Sequence, residues 1–292
     1  MIKVIASDMD GTLLGEDHKI APETLSAIKE ACDAGIRFMI CTGRNFPGAM
    51  NELEGADLTC DYIVGSGAEV RDPRQQVVRS TAISTRLCRE IYETVRKYPI
   101  SVTFCTDGDD YRIGTEEEVE ESLIRQIQAF HLNQCRDEIR DTELYQRMKR
   151  NTRVISGIEE LEKAGLPVYK LFLFSGDLEM LDKIRRELEK NQEIAVSSSF
   201  ENNLEITDVK AQKGPVLKEY IESLGYTMDE VMALGDSLND YSMLSMDFGA
   251  TVAMENAVPE IRRVAKYTTR SNVEFGVAYA IRELLKHQGP VR

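Results

Sequence analysis

A short apolar run, Lys3-Val4-Ile5-Ala6, breaks off into Ser7-Asp8-Met9-Asp10-Gly11-Thr12-Leu13-Leu14. The run is rich in β-branched residues and too short for a helix, so it predicts a buried strand with two aspartates emerging where the strand stops. Open α/β sheets bind their ligands at that edge. Spaced i and i+2, the carboxylates would share a face if the strand continued, and Gly11 lets the backbone turn away just after them. Two acids held close repel each other, and a bound cation would relieve the repulsion. Three outcomes are open: a strand ending in a polar turn, a calcium loop, or a nucleophile beside an acid/base group. The calcium loop lacks its further oxygen ligands and its closing Glu.

The chain continues in βα units. Pro22 to Ala31 reads as a helix with Pro near its start, Leu25, Ile28 and Ala31 on one face, and Gly35 as its stop. A second buried strand, Ile36 to Cys41, follows; strand, helix, strand at this spacing is a right-handed parallel crossover. It delivers Thr42-Gly43-Arg44 to the same sheet edge as Asp8. Thr42 there is either the N-cap of a following helix or, with the Gly43 N–H, a donor to a phosphoryl oxygen. Arg44 either contacts substrate or pairs on the surface. Tyr62-Ile63-Val64 is a third parallel strand, leading into Gly65-Ser66-Gly67-Ala68-Glu69.

From about Arg79 the texture changes. Helices are predicted over Ser84 to Lys97, Glu116 to Phe130 and Leu178 to Lys190. Strands are predicted over Ser101 to Cys105, Asp110 to Ile113, Tyr169 to Phe174, Ile194 to Ser199 and Leu204 to Thr207. Helices flanking adjacent strand pairs predict an α+β layer with an antiparallel sheet, an inserted domain over residues 83–208. The acidic run Glu116-Glu117-Glu118 with Glu120-Glu121 reads as a solvated helix face. Arg112, Lys170 and Glu205 are candidate substrate contacts within the insert.

After the insert, Gln212-Lys213-Gly214 opens a helix through Leu217 and Ile221 to Gly225, and Lys213 is placed to reach the edge that carries Asp8. Next, the apolar strand Val231-Met232-Ala233-Leu234 ends in Gly235-Asp236-Ser237-Leu238-Asn239-Asp240, where Asp236 or Ser237 also suits a helix N-cap. Gly249 to Ala253, a helix through Ile261, Tyr267-Thr268 and a last helix from Val273 to Leu285 complete the core.

Together these stretches resemble the haloacid dehalogenase (HAD) superfamily of phosphotransferases, in its Cof-type branch (subfamily IIB, with a C2 cap). Asp-x-Asp-Gly-Thr-Leu matches the first motif, Thr-Gly-Arg the second, Lys-Gly the third and Gly-Asp-x-x-Asn-Asp the fourth, in order, with a cap-sized insert in the expected gap. Thr251 to Asn256, ending Ala253-Met254-Glu255-Asn256-Ala257, also matches a loop that flanks the site in the family. Relatives usually read Asn-Gly-Ala where this chain has Ser66-Gly67-Ala68, and no role is carried to Ser66. The resemblance implies an α/β fold: a Rossmann-like HAD core with a parallel sheet, residues 1–82 and 209–292, plus an inserted α+β cap, residues 83–208, that supplies most substrate contacts. It implies Asp8 as nucleophile and Asp10 as acid/base, with Mg²⁺ held by Asp8, Asp236 and the Asp10 backbone carbonyl, and Asp240 in or just behind that shell. Thr42, Gly43, Arg44, Lys213 and Asn239 would face the substrate phosphate. Asp10 has to carry a proton at the first step, and a negatively charged neighbour and substrate would raise its pKa.

Charge and composition narrow the partners. A formal charge of -14 argues against binding a nucleic-acid backbone, since such proteins offer a basic face. It leaves small anions open, because a few local positive groups and a metal suffice. Met1-Ile2-Lys3 runs straight into a strand without an apolar h-region, and no run approaches the length of a membrane span. Cys32, Cys41, Cys60, Cys88, Cys105 and Cys135 show no Cys-x-x-Cys spacing, and with only His18, His131 and His287 a zinc site is not expected. Reduced thiols in a cytoplasmic protein are.

The expected function is a Mg²⁺-dependent phosphatase hydrolysing a small phosphorylated metabolite, such as a sugar phosphate, through an aspartyl phosphate on Asp8. Three rivals stand beside it, one of them a catalytically silent binding module, disfavoured because no carboxylate of the set has been lost. A phosphomutase shares the intermediate and returns the group to a sugar. A non-catalytic phospho-acceptor, like a receiver domain, would carry the phosphoryl group as a signal, but gains nothing from an acid at Asp10 poised to speed hydrolysis.

Overall fold

The computed structural model describes residues 1–130 and 136–288; His131 and Cys135 lie outside the described residues. The chain divides into two compact units, Met1–Thr81 with Lys210–Arg292, and Ala82–Val209.

In the first unit the N-terminal segment supplies β1 (Val4–Ser7), β2 (Arg37–Cys41), β3 (Asp61–Val64), β4 (Glu69–Arg71) and β5 (Val77–Ser80). The second unit supplies β6 (Ser101–Cys105), β7 (Asp110–Ile113), β8 (Thr152–Ile155), β9 (Lys170–Phe174), β10 (Ile194–Ser197) and β11 (Asn203–Asp208). The C-terminal segment returns to the first unit with β12 (Val231–Gly235), β13 (Ala250–Ala253) and β14 (Tyr267–Thr268).

The first unit is built on one sheet in the order β14-β13-β12-β1-β2-β3-β4-β5. From β14 to β3 every neighbour is parallel. Such strands are covered on both faces and read as continuous apolar runs, which is why β1, β12 and most of β2 are buried throughout. The chain leaves β1 for β2 on one side and reaches β12 on the other. This makes the carboxyl ends of β1 and β12 the switch point where open sheets form a crevice. Register is fixed by Ser7 opposite both Ile40 and Leu234.

β4 and β5 extend this sheet as an antiparallel edge where the sequence predicts no strand. Three residues with Glu69 and Arg71 at their ends carry no alternation to recognise, and β5 is mostly exposed, as short protected edges are.

The second unit carries a six-stranded sheet ordered β10-β11-β9-β6-β7-β8. Its pairs are antiparallel, as expected, except β7 with β8, which run parallel at that edge. Leu171 and Leu173 of β9 and Phe104 of β6 pack with Leu87 and Ile91 of the helix Thr85–Val95 and with Ile184 of the helix Leu178–Leu188. Lys170 pairs at 3.0 Å with Glu205. Arg112, another candidate contact, is buried and donates to Ser122 and Gln126. In the helix Glu116–Phe130, residues Glu116, Glu117 and Glu118 are exposed as expected, while Glu120 pairs with Arg140 and Lys149. Among the described residues no helix is long and apolar enough to cross a membrane, and the five described cysteines are free thiols.

Candidate active site

Asp8 stands one residue past β1, its N–H continuing the parallel ladder to the Leu234 carbonyl at 3.0 Å. The backbone then folds back: Gly11 takes a left-handed φ of 75°, and Leu14 N–H closes the loop on the Met9 carbonyl. A side chain at Gly11 would be strained and would strike the Asp236 carboxylate, so glycine is what lets the loops after β1 and β12 touch. The Thr12 hydroxyl donates to Asp236 Oδ1 at 2.8 Å, and the Ser237 hydroxyl donates to Oδ2 at 3.0 Å. Asn256 donates to the Gly11 carbonyl at 2.8 Å, tying the loop after β13 to the same turn.

Lys213 is the buried cation of the site. Its Nζ lies 2.6 Å from Asp8 Oδ1 and 2.7 Å from Asp240 Oδ1. The second Asp240 oxygen accepts the backbone N–H groups of Asp236 and Ser237, so both its oxygens are held by donors. Lys213 begins the helix Lys213–Ser223, and Gly214 behind it admits no side chain, because a Cβ would collide with the Ser242 carbonyl. Gly67 lies against the backbone of Gln212 in the same way, since a Cβ there would fall within 2.7 to 2.9 Å of it.

Ligand oxygens of Asp8, Asp236 and Asp240, all buried, lie within 4.8 Å of one another. Burial and the Asp240 charge push the Asp8 carboxyl well up, although Lys213 opposes them. The same two causes push Asp236 to about 7 against the hydroxyls of Thr12 and Ser237. Burial alone would depress the Lys213 ammonium, yet the charges of Asp240 and Asp8 carry it above its usual range. The cluster is short of positive charge, and its all-oxygen donor set suits a hard divalent cation.

Asp10 lies outside that cluster. Its carboxylate is gripped by Arg44, Nε on Oδ2 at 2.8 Å and Nη2 on Oδ1 at 2.7 Å, and Arg44 Nη1 reaches Glu52 at 2.6 Å. Burial favours a raised pKa here, but the Arg44 hydrogen bonds and charge outweigh it and hold Asp10 below the usual carboxylate range. This reverses the expected upward shift, because the nearest charge is Arg44, which the second strand delivers to this edge and which pairs with Asp10 itself. Arg44 is accordingly engaged inside the unit rather than paired on an open surface.

Thr42 is fully buried at the end of β2, with its N–H on the Ile63 carbonyl, and its hydroxyl accepts the Arg44 N–H at 3.2 Å. Gly43 is half-buried in the bend that follows. Asn239 is 9% exposed, and its Oδ1 is a buried polar atom without a hydrogen-bond partner, as at a position that meets a ligand. Thr12, Ser237 and Glu52 also take part; Thr12 lies within the first motif and Ser237 follows Asp236, whereas nothing in the sequence marks Glu52.

Comparison with known proteins follows the same outline. A family model described as haloacid dehalogenase-like hydrolase matches residues 5–281. The 5-amino-6-(5-phospho-D-ribitylamino)uracil phosphatase YwtE of Bacillus subtilis is 31% identical over 287 residues, covering 98% of this chain and 99% of its own. A second phosphatase of that name, YcsE of the same organism, is 29% identical over 96% of this chain and 95% of its own. The solved structure of a haloacid dehalogenase-like hydrolase from B. subtilis matches with a TM-score of 0.83 at 28% identity, covering 97% of this chain and 100% of that one.

Proposed function

The chain belongs to the haloacid dehalogenase-like hydrolase family, and on that premise we propose that it is a Mg²⁺-dependent phosphatase of small phosphorylated metabolites. The observation that carries the reading is the set of three buried carboxylates within 4.8 Å, with the Lys213 ammonium on two of them. Asp8, Asp236 and the backbone carbonyl of Asp10 would hold the ion, and Asp240, its oxygens already taken, would hold Lys213 and the loop behind it. When bound, Mg²⁺ offsets the repulsion between a phosphate dianion and a carboxylate nucleophile.

The residues of the chain then divide the work. Thr42, Gly43, Lys213 and Asn239 surround the phosphoryl group with fixed polar atoms, which is most of what phosphoryl transfer asks of a protein. Asp8 attacks phosphorus and forms an aspartyl phosphate as the bond to the leaving oxygen breaks. Asp10 gives that oxygen a proton, then takes one from the water that attacks the aspartyl phosphate, releasing inorganic phosphate and freeing Asp8. For this Asp10 has to arrive protonated, and Arg44 has to release at least one of its oxygens. The unit Ala82–Val209 is assigned the choice of substrate. A phosphorylated polyol or sugar is the favoured class, since two relatives are named for a phosphoribityl substrate.

Phosphate release from 4-nitrophenyl phosphate and from a panel of phosphorylated metabolites tests the proposal. Wild-type protein with Mg²⁺ is expected to turn over; EDTA or Asp8→Asn is expected to stop it. Full activity in Asp8→Asn would overturn the assignment, and an isomeric sugar phosphate in place of free phosphate would turn it into a mutase.

A further inference from the structure

We infer that Glu52, which lies in none of the motifs, is a positioning residue for this reaction: by fixing Arg44 it sets where the Asp10 carboxylate stands. The inference rests on the reading of Asp10 as the acid/base group.

The guanidinium is a rigid plane whose donors leave in set directions. Nε and Nη2 form one edge, on the two oxygens of Asp10, and Nη1 points to Glu52 Oε1. Holding Nη1 therefore orients the edge that holds Asp10. Glu52 is suited to be the fixed end. It closes the helix Phe46–Glu52, whose start is capped by Asn45 accepting the Gly48 N–H at 2.9 Å. Phe46 in turn meets the Tyr62 ring edge-on at 5.4 Å and lies 4.2 Å beneath the Arg71 guanidinium. Asp10, by contrast, sits in the turn at Gly11.

Charge gives Glu52 a second task. One cation is shared by two carboxylates, and a dianionic substrate brings a third claim on it. When Arg44 lets go of one Asp10 oxygen for the reaction, the Nη1 contact with Glu52 holds the guanidinium in place, so the remaining bond still locates Asp10. Without Glu52 the guanidinium is free to follow the phosphoryl group, which binds substrate at least as well and leaves Asp10 misplaced. Turnover falls while KM does not rise. The loss also depends on the leaving group, because an alkoxide needs the proton far more than 4-nitrophenolate does.

The test compares wild type, Glu52→Ala, Glu52→Gln and Glu52→Asp on 4-nitrophenyl phosphate and glycerol 2-phosphate, with thermal unfolding alongside. Glu52→Gln keeps the shape and drops the charge, so the comparison stands even if the alanine variant folds poorly. Expected is a drop in kcat of roughly 10- to 100-fold on glycerol 2-phosphate, the scale of a slightly misplaced catalytic group, with KM unchanged or lower and a much smaller drop on 4-nitrophenyl phosphate. Glu52→Asp should recover part of it. Equal losses on both substrates, or none, would overturn the inference. Asp8→Asn run in the same assay separates this from the broader reading: hydrolysis that survives there removes the proposed function itself, and the role of Glu52 with it.

Discussion

Lys213 and Asp8 are 205 residues apart in the chain and meet at 2.6 Å, Nζ on Oδ1, with both side chains buried. The same ammonium reaches Asp240 at 2.7 Å. Coulomb attraction at such distances in a poorly hydrated site is strong, and each partner depends on the other to remain charged.

Lys213→Met therefore leaves Asp8 and Asp240 without their cation. Removing one member of a buried pair costs about 3–5 kcal/mol. The melting temperature measured in EDTA should fall accordingly, and Mg²⁺ should restore part of it. Turnover should drop by roughly 10²- to 10³-fold, as when a preorganised donor to the reacting group is deleted. A variant as stable as wild type in EDTA would contradict the pairing.

Gly214→Ala should destabilise, although glycine to alanine within a helix ordinarily gains up to about 1 kcal/mol. Here the added Cβ runs into the Ser242 carbonyl, and overpacking of that kind costs about 1–3 kcal/mol. The helix has to shift and carry Lys213 with it, so kcat should fall with stability. Urea unfolding and kinetics on the same preparation check both; a more stable variant would show that the helices have room.

Asp61 gives a stability prediction remote from the chemistry. Its side chain is fully buried and accepts from Arg37 and from the Tyr220 hydroxyl at 2.6 Å. Arg37 opens β2 whereas Thr42 follows its end, so Arg37→Met should destabilise by about 2 kcal/mol, discounted for the partly exposed guanidinium, and leave kcat alone. Adding Asp61→Asn should recover part of the loss, since the stranded charge goes with it. Additive losses would mean that the two residues do not act as a pair.

Buried thiols set a limit in alkali. Burial pushes Cys60 and Cys88 from an ordinary value of 9.0 up to about 12. Above the lower value the unfolded chain has lost these protons while the folded one keeps them. The folded state binds more protons, so stability falls as pH rises from about 9 to about 12 and is fully present below that window. The urea midpoint should decline between roughly pH 9 and pH 12, less steeply in Cys88→Ala; identical slopes would assign the decline to other groups.

The fold was largely legible because its central strands are buried on both faces. Residues 4–6, 38–41 and 231–234 read as unbroken apolar runs, each followed by a polar loop. β4, β5 and β8 were missed because short edge strands need no such pattern. Lys213 was legible as reaching the Asp8 edge because it opens a helix just after the insert, but its bond to Asp240 was not visible.

By itself the sequence determined where the central parallel strands end and which carboxylates and amines stand there, since burial periodicity and turn residues act over a few positions. Only the tertiary structure decided which charge each of them faces. Arg44 settles on Asp10 and Glu52, and Asp10 is held low rather than raised, because electrostatics follows distance in space. That distance is fixed by packing among elements scattered along the chain.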